Sequence, residues 1–185
     1  MAVEFDSYGL QLYLGVLNGA YTPQDFIDSI SNKIDNNRIK SHLQSFLQKT
    51  TELEEFYHLA NQIASPRFAF QSGNNQQGEP IIFNYYVRKN PMLGNYCMYI
   101  SIPAGHPFHG RSYAQVANAT YCSVDEEDPS RWVFGWDYAH YDILTTTSIY
   151  MHYATNPAIL LNMRILTKNQ IEDDVARYAN ILASQ

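Results

Sequence analysis

The sequence predicts an α+β domain: N-terminal helices, then an antiparallel sheet of meander type, then a C-terminal helix packed on that sheet. Three observations carry the expectation. Apolar residues recur at helical spacing through 22 to 64, alternate with a period of two from 67 to 137, and return to helical spacing from 168 to 183.

The first helix starts at "TPQDFIDSISNKI", residues 22 to 34. Thr22 can cap it, Pro23 suits the first helical position, and Asp25 lies in the electropositive first turn. Phe26, Ile27, Ile30 and Ile34 then form one apolar stripe. "DNNR" at 35 to 38 interrupts it, and Ile39, Leu43, Phe46 and Leu47 resume the spacing. Thr51 and Glu54 spell a capping box ahead of Leu53, Phe56, Ala60 and Ile63, so two or three helices are expected over 22 to 64, ended by "SPR" at 65 to 67.

The period then changes. "RFAFQS" and "PIIFNYYVRK" flank the Gly- and Asn-containing "GNNQQGE" at 73 to 79, which predicts a hairpin. Met98, Ile100 and Ile102 alternate with Cys97, Tyr99 and Ser101 as a half-buried strand. "QVANATYCSV" at 115 to 124 and "RWVFGWD" at 131 to 137 form a further pair, and "TTTSIYMHY" at 145 to 153 is expected to add one more strand. Short connections favour antiparallel over parallel pairing. Thr167 and Gln170 match a capping box, and Ile171, Val175, Tyr178, Ala179 and Leu182 fall on one face of a helix over 168 to 183. The expected organisation is a helical region over 1 to 65 and an antiparallel α+β region over 66 to 185, together one compact domain.

Composition narrows the function classes. A net charge of −6 with only 12 Lys and Arg, scattered singly, offers no basic stripe for successive phosphates, so no nucleic-acid partner is expected. No apolar run approaches the roughly 20 residues of a membrane span, and "MAVEFDSYGLQ" lacks the charged start and apolar middle of a signal peptide. A soluble, cytoplasmic protein with no membrane partner is expected. Cys97 and Cys122 lie in apolar strand-like segments and fit buried thiols in a reducing compartment, although one bridge between them stays open. Fifteen tyrosines suit strands and contact surfaces alike.

One constellation carries chemistry. "YISIPAGHPFHGRSY" at 99 to 113 sets two histidines, a proline and two glycines against a strand, and "WVFGWDYAHYD" at 132 to 142 ends another strand with Asp, His and Asp. If both ends meet, His106, Asp137 and His140 form a catalytic set. His140 oriented by Asp137 would act as base toward water, with His106 as acid or oxyanion partner. Gly105, His109, Gly110, Trp136 and Asp142 are the ligand-binding candidates around it. The spacing matches no metal motif, and no metal or cofactor is implied.

Each of these residues also has a structural reading. Gly105 and Gly110 supply backbone freedom, Pro107 stiffens a turn, His106 bonds a neighbouring carbonyl, and Asp137 caps amides beyond its strand. Trp132, Phe134 and Trp136 share one strand face and read first as core. His42, His58 and His152 read as surface or packing residues. The acidic run Asp125 to Asp128 reads as a solvated hairpin tip.

"YCMYISIPAGHPFHGRSY", "WVFGWDYAH" with Asp142 close behind, and the final "TKNQIEDDVARYANIL" resemble a family of small uncharacterised phage and large-DNA-virus proteins. The likeness covers 96 to 183 and selects Gly105, His106, Pro107, Gly110, Gly135, Asp137, Ala139, His140 and Asp142. Where that family carries His-Gly-Gly this chain has "NAT" at 118 to 120, and Tyr141 stands where the family has Gly. The resemblance implies a viral origin, in a host cell or virion, rather than a reaction. The expectation is therefore an accessory protein whose His/Asp cleft binds or hydrolyses a small polar ligand such as a nucleotide. The alternative is a non-enzymatic module binding a host or viral protein, or a minor virion component.

Overall fold

In the computed structural model, which describes residues 7–184, α1 (Ser7–Leu17), α2 (Pro23–Ser31) and α3 (Asn37–Phe56) precede the strands. These are β1 (Phe68–Asn74), β2 (Pro80–Lys89), β3 (Tyr96–Ile102), β4 (Tyr121–Val124) and β5 (Trp132–Asp137), and α4 (Thr146–His152) and α5 (Lys168–Ala183) close the chain. The α+β class with an antiparallel sheet is as expected. The elements sort into two units, each made of separated stretches. The helical unit takes the chain up to Phe56, then Lys89–Asn95 and Ala139–Lys168; the sheet unit takes Tyr57–Arg88, Tyr96–Tyr138 and the stretch from Asn169 onward.

Local capping explains where the helices begin. The Asp25 amide donates to Thr22 Oγ1 at 3.2 Å while the Asp25 carboxylate accepts the Thr22 amide at 2.9 Å, so two of the amides at the start of α2 that lack helical partners are satisfied. α3 runs unbroken for 20 residues, which corrects the expected second start at Thr51. Ile39, Leu43, Phe46, Leu47, Thr50 and Leu53 are all buried, so the stripe continues straight through that position, and a break there would orphan amides for no gain. The helix ends at Phe56, and His58 has a φ of 55°, which places Ala60 and Ile63 beyond it.

A second correction concerns residues 145 to 153. They form α4 rather than a strand, because the Ser148 amide donates to Thr145 Oγ1 at 3.1 Å and the Thr145 amide donates to Ser148 Oγ at 2.8 Å. This capping box outweighs the strand preference of three consecutive threonines. Helix α1, not foreseen, joins the same unit: Tyr13 stacks on Tyr150 with ring centroids 4.4 Å apart. The core of the helical unit gathers Leu12 and Val16 of α1, Phe26, Ile27 and Ile30 of α2, Leu43, Phe46 and Leu47 of α3, and Ile149 of α4.

In the sheet unit the strand order is β1-β2-β3-β5-β4. Pairing is consecutive through β3. The long connection from 103 to 120 then carries β4 to the outer edge, and β5 returns through the short 125 to 131 turn into the gap. Opposite residues share a face, so Ile102, Ile100 and Met98 of β3 line up with Trp132, Phe134 and Trp136 of β5. That face receives α5: Trp136 stacks on Tyr178 with centroids 4.4 Å apart, and the Tyr138 hydroxyl donates to Asp174 at 2.8 Å. The opposite face carries Tyr99, Gly135 and Tyr121 in one row. A Cβ on Gly135 would stand 2.7 Å from a Tyr99 ring carbon, so the bare glycine is what lets that ring lie across β5.

The acidic run between β4 and β5 is a solvated tip at Glu126, Glu127 and Asp128, which are exposed, but not at Asp125. Asp125 is 1% exposed and accepts both Nη1 and Nη2 of Arg67 at 2.7 Å, the Ser101 hydroxyl at 2.5 Å and the Glu127 amide at 3.0 Å. Arg67 also donates to Glu127 at 2.6 Å, and Arg88 to Glu126 at 2.6 Å. Cys97 and Cys122 stand opposite Asp137 and Phe134 of β5 respectively and form no disulfide. Among the described residues, no helix is long and apolar enough to cross a membrane.

Candidate functional site

The 103 to 110 loop is built by its turn residues. The His106 amide donates to the Pro103 carbonyl at 3.3 Å, and Gly105, with a φ of 84°, holds the third turn position that a type II turn requires. Gly110 takes a φ of 77° where the loop leaves. The His106 ring accepts the Phe108 amide at 3.2 Å on Nδ1, meets Phe83 edge-on with centroids 5.3 Å apart, and makes a further hydrogen bond with the Leu182 main chain. Burial holds its pKa below the ordinary 6.5, outweighing the Leu182 bond, which acts in the opposite direction. His106 is therefore a half-buried imidazole committed to main-chain partners.

The other half of the expected set lies elsewhere. β3 and β5 are antiparallel, with Ile102 opposite Trp132 and Cys97 opposite Asp137. The loop after Ile102 and the segment after Asp137 consequently leave from opposite ends of the strand pair, separated by five residues or about 17 Å. The shared pocket expected of His106 and Asp137 does not form, because adjacent antiparallel strands never end on the same side. Asp137 receives no role at the His106 loop, and its own amide donates to Thr120 Oγ1 at 3.3 Å. His140 and Asp142 belong to the helical unit. The Asp142 carboxylate accepts Arg164 Nε at 2.8 Å, and that bond holds its pKa below the ordinary range.

Two ligand-binding candidates are also accounted for by packing. Trp136 is 3% exposed, is stacked on Tyr178, and donates its indole N–H to the Ala117 carbonyl at 3.0 Å, so it offers no surface to a ligand. His109 places Nε2 3.1 Å from the Ser130 carbonyl, near Trp132, whose indole N–H donates to the Arg111 carbonyl at 3.0 Å. These contacts tie the loop to the sheet. Among the described residues, no group of three or more His, Cys, Asp or Glu side chains could hold a metal ion.

One cavity in each unit includes residues of the expected set. In the sheet unit a cleft of about 800 Å³ is walled by the β1–β2 turn with Asn75, Gln76 and Gln77, by the loop from Pro103 to Pro107 including Gly105 and His106, and by Arg131. Asn75 is occupied within its own turn, accepting the Gln77 and Glu79 amides at 3.0 and 2.9 Å. Gln76 and Gln77 are exposed. The Arg131 guanidinium is held by Ser101 Oγ at 2.9 Å and by the Ile82 and Ser101 carbonyls at 2.9 and 2.8 Å. Among the described residues, it is the only formal charge in that wall. Sequence reading passed over Arg131, whose position depends on partners 30 and 49 residues away.

In the helical unit a cavity of about 410 Å³ is lined by His140 together with His152, Leu93, Tyr141, Met151 and Met163, among others. His152, read from the sequence as a surface or packing residue, stands in this wall. No family model, curated protein or solved structure matches the chain.

Proposed function

We propose that the protein binds a small anionic polar molecule, such as a nucleotide, in the cleft of the sheet unit, and does so without transforming it. One observation carries this reading: an arginine, an imidazole and two exposed glutamine carboxamides from three separate stretches face one cleft to which the described residues contribute no carboxylate. The size, about 800 Å³, falls among ordinary ligand pockets of about 300–1,000 Å³. Arg131 is pre-organised by its carbonyl and hydroxyl partners, so an incoming phosphate or carboxylate meets a positive charge already in place. Acid/base chemistry is disfavoured. A catalytic base needs a free nitrogen within reach of the proton it takes, whereas His106 is engaged by Phe108 and Leu182.

The test is an amide NMR titration with nucleoside monophosphates and the matching nucleosides. Amide shifts confined to 74 to 77, 104 to 106 and 131 are expected with the monophosphate and are expected to be weaker with the nucleoside. Gln76→Ala with Gln77→Ala should weaken binding several-fold and leave the melting temperature unchanged. Absence of shifts across the panel, or turnover of the ligand, overturns the proposal.

A further inference from the structure

The cavity of the helical unit differs in kind from the polar cleft. Ile143 and Met163 at its floor are buried, Leu93, Met151 and Ile159 extend the apolar wall, and Leu93, Tyr141 and Met151 are 49%, 92% and 58% exposed at the same place. Three large apolar side chains held in water around one opening is a cost that a folded chain ordinarily avoids. The polar groups of the wall are mostly spent. Thr145 and Ser148 cap α4, and the Thr147 hydroxyl donates to the Leu93 carbonyl at 2.6 Å and lies 3.1 Å from the Tyr13 hydroxyl. The wall also holds the Asn95 side chain, which is buried, His140, which is exposed, and His152, which is half-buried. Among the described residues, no Asp, Glu, Lys or Arg lines the cavity, so its basic groups are these two imidazoles.

The geometry points to a binding site for a small amphipathic acid, its hydrocarbon part against Ile143, Ile159 and Met163 and its carboxylate against His140 and His152. Methionine suits such a wall, because an unbranched thioether adapts to chains of different shape. The site is distinct from the sheet-unit cleft: no described residue lines both.

Calorimetric titration of the intact 185-residue chain with decanoate and with decanol separates the two halves of this inference, and the Met151 and Met163 methyl resonances report the location. Decanoate is expected to bind and to shift both methyls. Decanol is expected to bind about ten-fold or more weakly, the worth of one charge-assisted hydrogen bond. His140→Ala with His152→Ala should bring decanoate down to the level of decanol, and Met151→Ala, at an exposed position, should weaken both without unfolding the protein. Equal affinity for the two ligands, or a preference for decanoate that survives the double histidine substitution, overturns the assigned head-group site. Binding that leaves both methyls unmoved, or no binding of either ligand, overturns the site itself.

Discussion

Replacing Asp125 by Ala should destabilise the sheet unit more than any other single change in the acidic run. The side chain is 1% exposed, and its loss strands the Arg67 guanidinium, 17% exposed, which donates two hydrogen bonds to it. Stripping one partner from a buried pair costs about 3–5 kcal/mol. The low end applies because Arg67 keeps Glu127 at 2.6 Å, so about 3 kcal/mol is expected. At about 2–4 °C per kcal/mol for a chain of this size, the melting temperature should fall by about 6–12 °C. Urea unfolding followed by circular dichroism measures the loss directly. Adding Arg67→Met to Asp125→Ala should recover part of it, because the stranded charge is then gone.

The pH dependence has a defined sign. Burial works to raise the Asp125 carboxyl, but the Ser101 hydroxyl, the Glu127 amide and Arg67 together outweigh it, and its pKa lies below the ordinary 3.8. A depressed folded-state value contributes stability that is complete above pH 3.8 and is lost as pH falls through the lower folded value. Wild type should therefore lose stability in that acid window, and Asp125→Asn should lose less of it. A stability loss below about 1 kcal/mol in Asp125→Ala would show that the clasp is incidental to the fold.

Other substitutions probe the loop and the sheet. His106→Ala removes two hydrogen bonds and an edge-on ring contact, so a loss of about 2 kcal/mol is expected by urea unfolding. Because burial depresses the His106 pKa below 6.5, the unfolded chain takes up its proton first. Wild-type stability should therefore fall as pH drops below 6.5, and that part of the profile should flatten in His106→Ala. Gly135→Ala forces a methyl to within 2.7 Å of Tyr99 and should cost about 1–3 kcal/mol; combining it with Tyr99→Ala should cost less than the two changes summed, read from a double-mutant cycle. Tyr138→Phe forfeits the 2.8 Å bond to Asp174 and should cost about 1 kcal/mol in the same assay.

What was legible in the sequence was what neighbouring residues decide. Thr22, Pro23 and Asp25 announce α2 within four positions, and Gly105 marks a turn whatever surrounds it. The threonines from 145 to 147 misled because strand preference is a weak prior, while a capping box with Ser at its third position is an inconspicuous signal. Long-range pairing was illegible. Nothing near Asp125 signals Arg67, 58 residues upstream, and nothing near 121 signals that β5 will fold back inside β4. The candidate site was half legible for the same reason. The histidine loop was found, but its supposed Asp137 partner required knowing the direction of two strands as well as their adjacency.

The interleaving of the two units bears on how the protein can be cut. The chain leaves the helical unit after Phe56, returns for Lys89–Asn95, leaves again, and comes back at Ala139 before finishing in α5. No single contiguous fragment holds all of one unit without part of the other, so deletion from either terminus removes material from both before it isolates one. Separating the two proposed binding sites thus calls for point substitutions within an intact polypeptide, and a fragment library screened for a minimal binding region should return nothing shorter than most of the chain.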